Sequence, residues 1–231
     1  VILPLASAFL IPIFGRMVKG FQKAILTLVL LFLTILTFHL IFGGLKEPIT
    51  YQVGGWSPVE GIPIAIYLVL DGLSAFTLLI VNLIGLLAAF YAISYIKRYT
   101  AQNNFFALLS LMIAGMNGVV LTGDMFNMYV FLEIAVIASY ALVAFGIEKT
   151  ELEASFKYQV LGGIASLLIL FAIGMLYWKT GTLNLADISV ILKQGPPDLS
   201  LTFTQILLIS GFGLKAAMIP FHAWLPDAHS S

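Results

Sequence analysis

Long apolar runs separated by short polar clusters repeat along the chain from its first residues to its last. A helix needs about 20 apolar residues to cross roughly 30 Å of hydrocarbon. The runs predict seven membrane spans at about 2–14, 24–42, 71–96, 105–121, 125–145, 158–178 and 201–225, the first of them short, with an external hairpin at about 49–70. Arg16, Lys19 and Lys23 close the first span, and Gly43-Gly44 followed by Lys46, Glu47 and Pro48 stops the second. Asp71 is placed to cap the free amides that open the third, and Lys97 with Arg98 ends it. Asp124 and Asn127 are expected to cap the fifth. A loop carrying Gly181, Asp187, Lys193 and Pro196-Pro197 leads to the seventh. The expected fold class is all-α, a polytopic transmembrane helix bundle forming a single domain over residues 1–231.

Composition leaves no room for a soluble domain. The chain is 61% hydrophobic and 10% charged, with a mean hydropathy of +1.05, against roughly half apolar and a quarter charged in soluble proteins. Formal charge is zero and no basic stretch suits nucleic acid, so the expected partners are lipid and other membrane subunits. The absence of cysteine excludes disulfides and thiolate-ligated clusters in this chain. Loops after the odd spans hold Arg16, Lys19, Lys23, Lys97, Arg98, Lys149 and Lys157; those after the even spans hold Lys46, Lys179 and Lys193. This bias puts the odd loops in the cytoplasm and the amino end outside. Val1 and the closing Ser230-Ser231 both read as cut ends, so a fragment or an incomplete subunit is expected.

Two charges lie inside apolar runs. Glu133 sits in the fifth span and Lys215 in the seventh, where insertion of a central charge costs about 2.5–3.5 kcal/mol and marks an ion path or an inward pair. Tyr129, Glu133 and Tyr140 share one helical face. The rival reading is a static buried ion pair, a poor stabiliser because desolvation offsets its attraction. Apolar surroundings weaken an amine's hold on its proton and a nearby carboxylate restores it, which is what a proton carrier needs. Beyond Lys215, Pro220 cannot bond the carbonyl of Ala216 and Pro226 cannot bond that of His222, so the helix is expected to break there. Broken helices in transporters line binding sites. Gly211 and Gly213 are expected to add looseness, and His222 is the residue type that titrates near physiological pH. Lys157 is either a flanking charge or a relay member, and Asp227 and His229 fall in a final loop as relay or surface groups. His39, Trp56, Trp178 and Trp224 read as interfacial side chains. No phosphate loop, metal cluster, haem motif or nucleophile triad is present, so no cofactor or metal is expected.

The stretches "LTGDMFNMYVFLEI" (121–134), "FKYQVLGGIASLLILFAIGMLYWKTGTLNLADI" (156–188) and "GFGLKAAMIPFHAWLPDAHSS" (211–231) resemble the antiporter-like subunits shared by respiratory complex I, Mrp cation/proton antiporters and energy-converting membrane hydrogenases. "YQVGGW" (51–56) and "LDGLSAF" (70–76) also match, and the resemblance is nearest to the Mrp D subunit and its hydrogenase counterpart. It implies a proton-translocating subunit of a redox-driven pump or antiporter in the cytoplasmic membrane of a prokaryote, with no catalytic site of its own. Glu133 then matches the family's fifth-helix glutamate and Lys215 the lysine of its discontinuous seventh helix. His222, Pro220 and Pro226 fall in the break, and His229 at the start of the eighth helix. Family members have about fourteen helices with two inverted repeats, of which this chain holds about half. Alternatives from the residues are sodium/proton exchange and a structural or quinone-contacting subunit without its own ion path.

Overall fold

The computed structural model describes residues 1–45, 47–55, 65–195 and 198–230. Lys46, Trp56, Pro58, Gly61 and the Pro196-Pro197 pair therefore lie outside the described residues. In chain order the helices are α1 Ile2–Phe14, α2 Phe21–Phe42, α3 Gly72–Tyr95, α4 Gln102–Leu121, α5 Met125–Val143, α6 Lys149–Thr180, α7 Leu185–Gln194, α8 Leu199–Lys215 and α9 Trp224–Ser230; β1 Ile49–Gln52 pairs with β2 Tyr67–Leu70. Among the described residues, five helices are long and apolar enough to cross a membrane: Phe21–Phe42, Gly72–Arg98, Gln102–Leu121, Met125–Val143 and Lys149–Thr180, with Ile2–Phe14 and Leu199–Lys215 as shorter apolar helices. The protein is a mostly helical, multi-pass membrane subunit. The chain divides into two compact units, residues 1–49, 69–121 and 131–146, and residues 50–68, 122–130 and 147–231.

In the first unit α1 to α4 pack around Ile11, Leu26, Leu30, Leu86, Ile96, Phe106 and Ile113, all closed to solvent or nearly so. With apolar surroundings on the outside as well, burial alone does not set the register of such helices, and small residues and interhelical hydrogen bonds do. Ser7 of α1 and Ser110 of α4 meet at 2.5 Å, and both hydroxyl oxygens lie 2.8 Å from the Pro4 carbonyl oxygen, so one hydroxyl donates to the other and the second donates to the carbonyl. Asn117 of α4 donates to Asn82 of α3 at 3.0 Å, and Asn82 donates to its own helix at the Leu78 carbonyl. Gly115 lets α4 approach the 131–135 stretch of α5: a Cβ there would lie 2.6 Å from the Ala135 amide nitrogen and 2.7 Å from the Phe131 carbonyl oxygen. Asp71 caps α3 as expected. Its Oδ1 accepts from the Ser74 amide at 2.8 Å while the Ser74 hydroxyl accepts from the Asp71 amide at 2.7 Å. Hydrogen bonding from the Ser74 amide, and secondarily from its hydroxyl, holds the Asp71 carboxyl below the usual carboxylate range.

In the second unit the start of α5 is pinned from two sides. The Gly123 amide donates to Tyr67 of β2 at 2.8 Å, and the Met125 amide donates to the Leu183 carbonyl at 2.9 Å. Asp124 caps α5 by accepting from the Asn127 amide at 2.7 Å, while the Asn127 side chain ties back to Thr122 at 2.9 Å. Burial raises the Asp124 carboxyl above its ordinary value. The segment after Gly181, expected to be loop, contains helix α7, opened by Asn184 accepting from the Ala186 and Asp187 amides. Asp198 caps α8 at the Leu201 amide, 2.7 Å, and also binds Lys179 at the end of α6. That ammonium is the main cause holding the Asp198 carboxyl below its usual range.

Candidate functional site

Lys215 is the last residue of α8 and is half-buried. The helix stops there through a complete Schellman turn. Ala217 takes a left-handed φ of 52°, its amide donates to the Leu214 carbonyl at 3.3 Å, and the Met218 amide donates to Gly213 at 2.8 Å. A further bond comes from outside the turn: the Trp224 indole Nε1 donates to the Leu214 carbonyl at 3.0 Å. The Phe212, Gly213 and Leu214 carbonyls are thus satisfied where the helix ends inside an apolar stretch, as irregular backbone in such surroundings requires. The left-handed position is one glycine occupies at little cost and alanine does not. Ala217→Gly is accordingly expected to stabilise the protein by about 1 kcal/mol, seen as a higher melting temperature in detergent.

The break differs in detail from the one the prolines suggest. Pro220 follows a cis bond from Ile219 and lies in the linker between α8 and α9, downstream of the turn that has already ended α8. Pro226 falls in the first turn of α9, where a missing amide hydrogen removes no helical bond, so it opens that helix rather than interrupting one. His222 is exposed in the linker and its carbonyl accepts from Leu225 at 3.0 Å. His229 is exposed on α9, as helix rather than loop. Gly211 gives close approach rather than looseness. A Cβ there would meet Ile169 Cγ1 at 2.6 Å and the Ala165 carbonyl oxygen at 3.1 Å, so it is the point where α8 rests on α6.

Residues 70 positions apart in sequence hold α9 against α6. Lys157 Nζ lies 2.7 Å from Asp227 Oδ2 and 2.9 Å from Glu153 Oε1. One turn along, the rings of Tyr158 and Trp224 stack at 4.2 Å and 6°. Trp224 is 7% exposed. Expected as an interfacial anchor, it is instead a buried pin joining α9, α6 and the end of α8; Trp178 is exposed on α6. Thr150, Glu153, Ala154, Lys157, Asp227 and Ser230 line a cleft of about 270 Å³. Two carboxylates around one ammonium leave it net negative, which favours cations and protons. Glu153, four residues before Lys157, was available from helical spacing, whereas Asp227 as its partner was not.

Glu133 belongs to the first unit, half-buried on α5, with Tyr140 two turns on and 9% exposed. Glu133, Tyr140 and Lys215 are each engaged by at least one neighbouring group. Among the described residues no group of three His, Cys, Asp or Glu is arranged to hold a metal ion.

Comparison with known proteins places this chain. Residues 122–231 match the family described as NADH:quinone oxidoreductase/Mrp antiporter, TM, and residues 56–106 that of NADH-Ubiquinone oxidoreductase (complex I), chain 5 N-terminus. The chain is 40% identical over 186 residues to the N subunit of the NADH-quinone oxidoreductase of Desulforudis audaxviator, covering 80% of this chain and 36% of that protein. To the D subunit of the probable K(+)/H(+) antiporter of Rhizobium meliloti it is 37% identical over 240 residues, covering 100% of this chain and 43% of the relative. The chain thus spans less than half the length of either. A chain of the membrane-bound sulfane sulfur reductase, an archaeal respiratory membrane complex, superposes with a TM-score of 0.90 at 32% identity, over 99% of this chain and 46% of the other. The chain belongs to the antiporter-like family of membrane subunits that complex I shares with the Mrp antiporters.

Proposed function

We propose that this chain is part of a proton-translocating antiporter-like subunit of a multisubunit membrane complex, with the chemistry supplied by other subunits. Lys215 is the proton carrier, Glu133 its modulating partner and His222 a relay toward the bilayer centre, with Lys157, at the α6/α9 cleft, and His229, on α9, as further proton-transfer groups. In this reading α8 ends at the break of a discontinuous seventh membrane helix, within about half of a fourteen-helix fold. The amino end lies outside, in a prokaryotic cytoplasmic membrane, with lipid and other membrane subunits around it.

The single observation that supports this most is the capped break at Lys215. The chain ends a helix beside an amine in an apolar stretch and satisfies the freed carbonyls with backbone and indole donors. An amine whose only task is to fasten two helices requires no such break. The name of the Rhizobium relative favours cation/proton exchange as the second reading. Both readings predict that Glu133→Gln, in the assembled complex reconstituted into liposomes, slows proton movement by about tenfold, because the charge that shifts the carrier's proton affinity is lost. A pH-sensitive dye reports the rate, and dependence on added sodium or potassium separates exchange from pumping. Undiminished proton movement in Glu133→Gln would remove the modulating role.

A further inference from the structure

A second polar cleft, of about 380 Å³, lies in the first unit, where α1 ends and α2 and α4 begin. Arg16, Gln22, Thr100, Gln102, Asn103 and Asn104 line it. Three independent observations describe what it suits. Residues 15–23 and 96–104 carry Arg16, Lys19, Lys23, Lys97 and Arg98 and no Asp or Glu, so this end of the unit is wholly cationic. Helix α4 opens from Ala101, which has no side-chain acceptor; the Asn104 and Phe105 amides bond its carbonyl, and among the described residues the Gln102 and Asn103 amides have no partner. Such a helix start attracts an anion through its free amides and its dipole. Finally, Gln22, which lines the cleft, is 7% exposed, and its buried Oε1 has no partner among the described residues.

An anion alone answers the first two features and leaves Gln22 unsatisfied. A ligand that joins a phosphate to a hydroxyl answers all three. Met17 and Val18, exposed beside Arg16, and Ile13 and Phe14 at the end of α1 give apolar surface for acyl chains next to the polar cleft. We propose that this cleft seats the headgroup of an anionic glycerophospholipid of the phosphatidylglycerol class, its phosphate on Arg16 and the first amides of α4 and its glycerol hydroxyl on Gln22. Phosphatidylethanolamine offers a donor but no net charge, and its ammonium would sit beside Arg16 at an end of the unit that carries only cationic charges. Basic clusters at the ends of membrane helices attract anionic lipid in the same sense, by about fivefold per Lys or Arg.

The test uses the assembled, detergent-solubilised complex, titrated with short-chain phosphatidylglycerol while its melting temperature is followed. Wild type is expected to be stabilised at lower phosphatidylglycerol than phosphatidylethanolamine or phosphatidylcholine, and Arg16→Gln to need about fivefold more for half the effect. Lys97→Gln removes the same charge off the cleft and is expected to behave as wild type. Gln22→Glu, which keeps the side-chain shape and places a carboxylate in the cleft, is expected to abolish the preference in complexes that retain all their subunits. Equal losses in Arg16→Gln and Lys97→Gln would mean diffuse attraction and overturn the site. Equal stabilisation by phosphatidylethanolamine, or by inorganic phosphate alone, would overturn the headgroup assignment, as would no stabilisation by phosphatidylglycerol.

Discussion

Lys215→Ala is expected to leave the complex assembled and to slow its proton movement by on the order of a hundredfold, the loss typical when a positioned proton-transfer group is removed. The fold is expected to tolerate the change because the Ala216, Ala217 and Met218 amides and the Trp224 indole cap the end of α8. Alanine is also the strongest helix former, so the last turn is retained. Lys215→Arg sharpens the test, since a guanidinium keeps the charge but does not release its proton at any physiological pH. If Lys215 carries protons, arginine is as inactive as alanine. If it only fastens helices, arginine preserves both assembly and transport, whereas alanine loses subunits from the purified complex. Subunit composition by gel and proton uptake into liposomes distinguish the two, and normal uptake in Lys215→Ala would end the carrier reading.

The long helices were legible because hydropathy reports them directly, and their ends because the capping chemistry is local. Asp71, Asp124 and the Gly43-Gly44 pair each act within four residues of themselves. Local capping in polar sequence escaped the same reading. Helix α6 begins at Lys149, well before its apolar run, opened by the Glu151 side chain accepting from the Glu148 amide at 3.1 Å. Helix α7 was hidden in a stretch whose polar residues resemble a loop, although Asn184 is a good cap. Contacts distant in sequence were beyond reach. Lys157 with Asp227, Tyr158 with Trp224, and Gly211 against Ile169 unite α6 with α8 and α9, and nothing in the spacing of either partner announces the other. The candidate residues were therefore visible as charges in apolar runs, while their surroundings were not. Trp224 shows the consequence: a tryptophan near a helix end reads as an interfacial anchor until its indole is found bonded to the carbonyl next to Lys215.

Two identical substitutions on different helices should have opposite effects for reasons only the packing supplies. At Gly115 a methyl group would lie 2.6 Å from the Ala135 nitrogen, 2.7 Å from the Phe131 oxygen and 2.8 Å from the Ala135 Cβ. Two of these are backbone atoms of α5, which cannot rotate aside, so α4 and α5 must separate along the stretch that carries Glu133. At Gly163 on α6 nothing lies within 4 Å of the added Cβ. Overpacking costs about 1–3 kcal/mol, and the upper end is expected where backbone rather than side chain is met. Removing an exposed helical glycine gains about 0.5–1 kcal/mol. Gly115→Ala should therefore lower the melting temperature of the solubilised protein and Gly163→Ala should hold or raise it. Because the displaced helix carries Glu133, Gly115→Ala should also slow proton movement in whatever fraction still assembles. Equal melting temperatures for the two variants would show that the close approach of α4 and α5 does not exist in the membrane-extracted protein, and with it would go the placement of Glu133 on that packed helix.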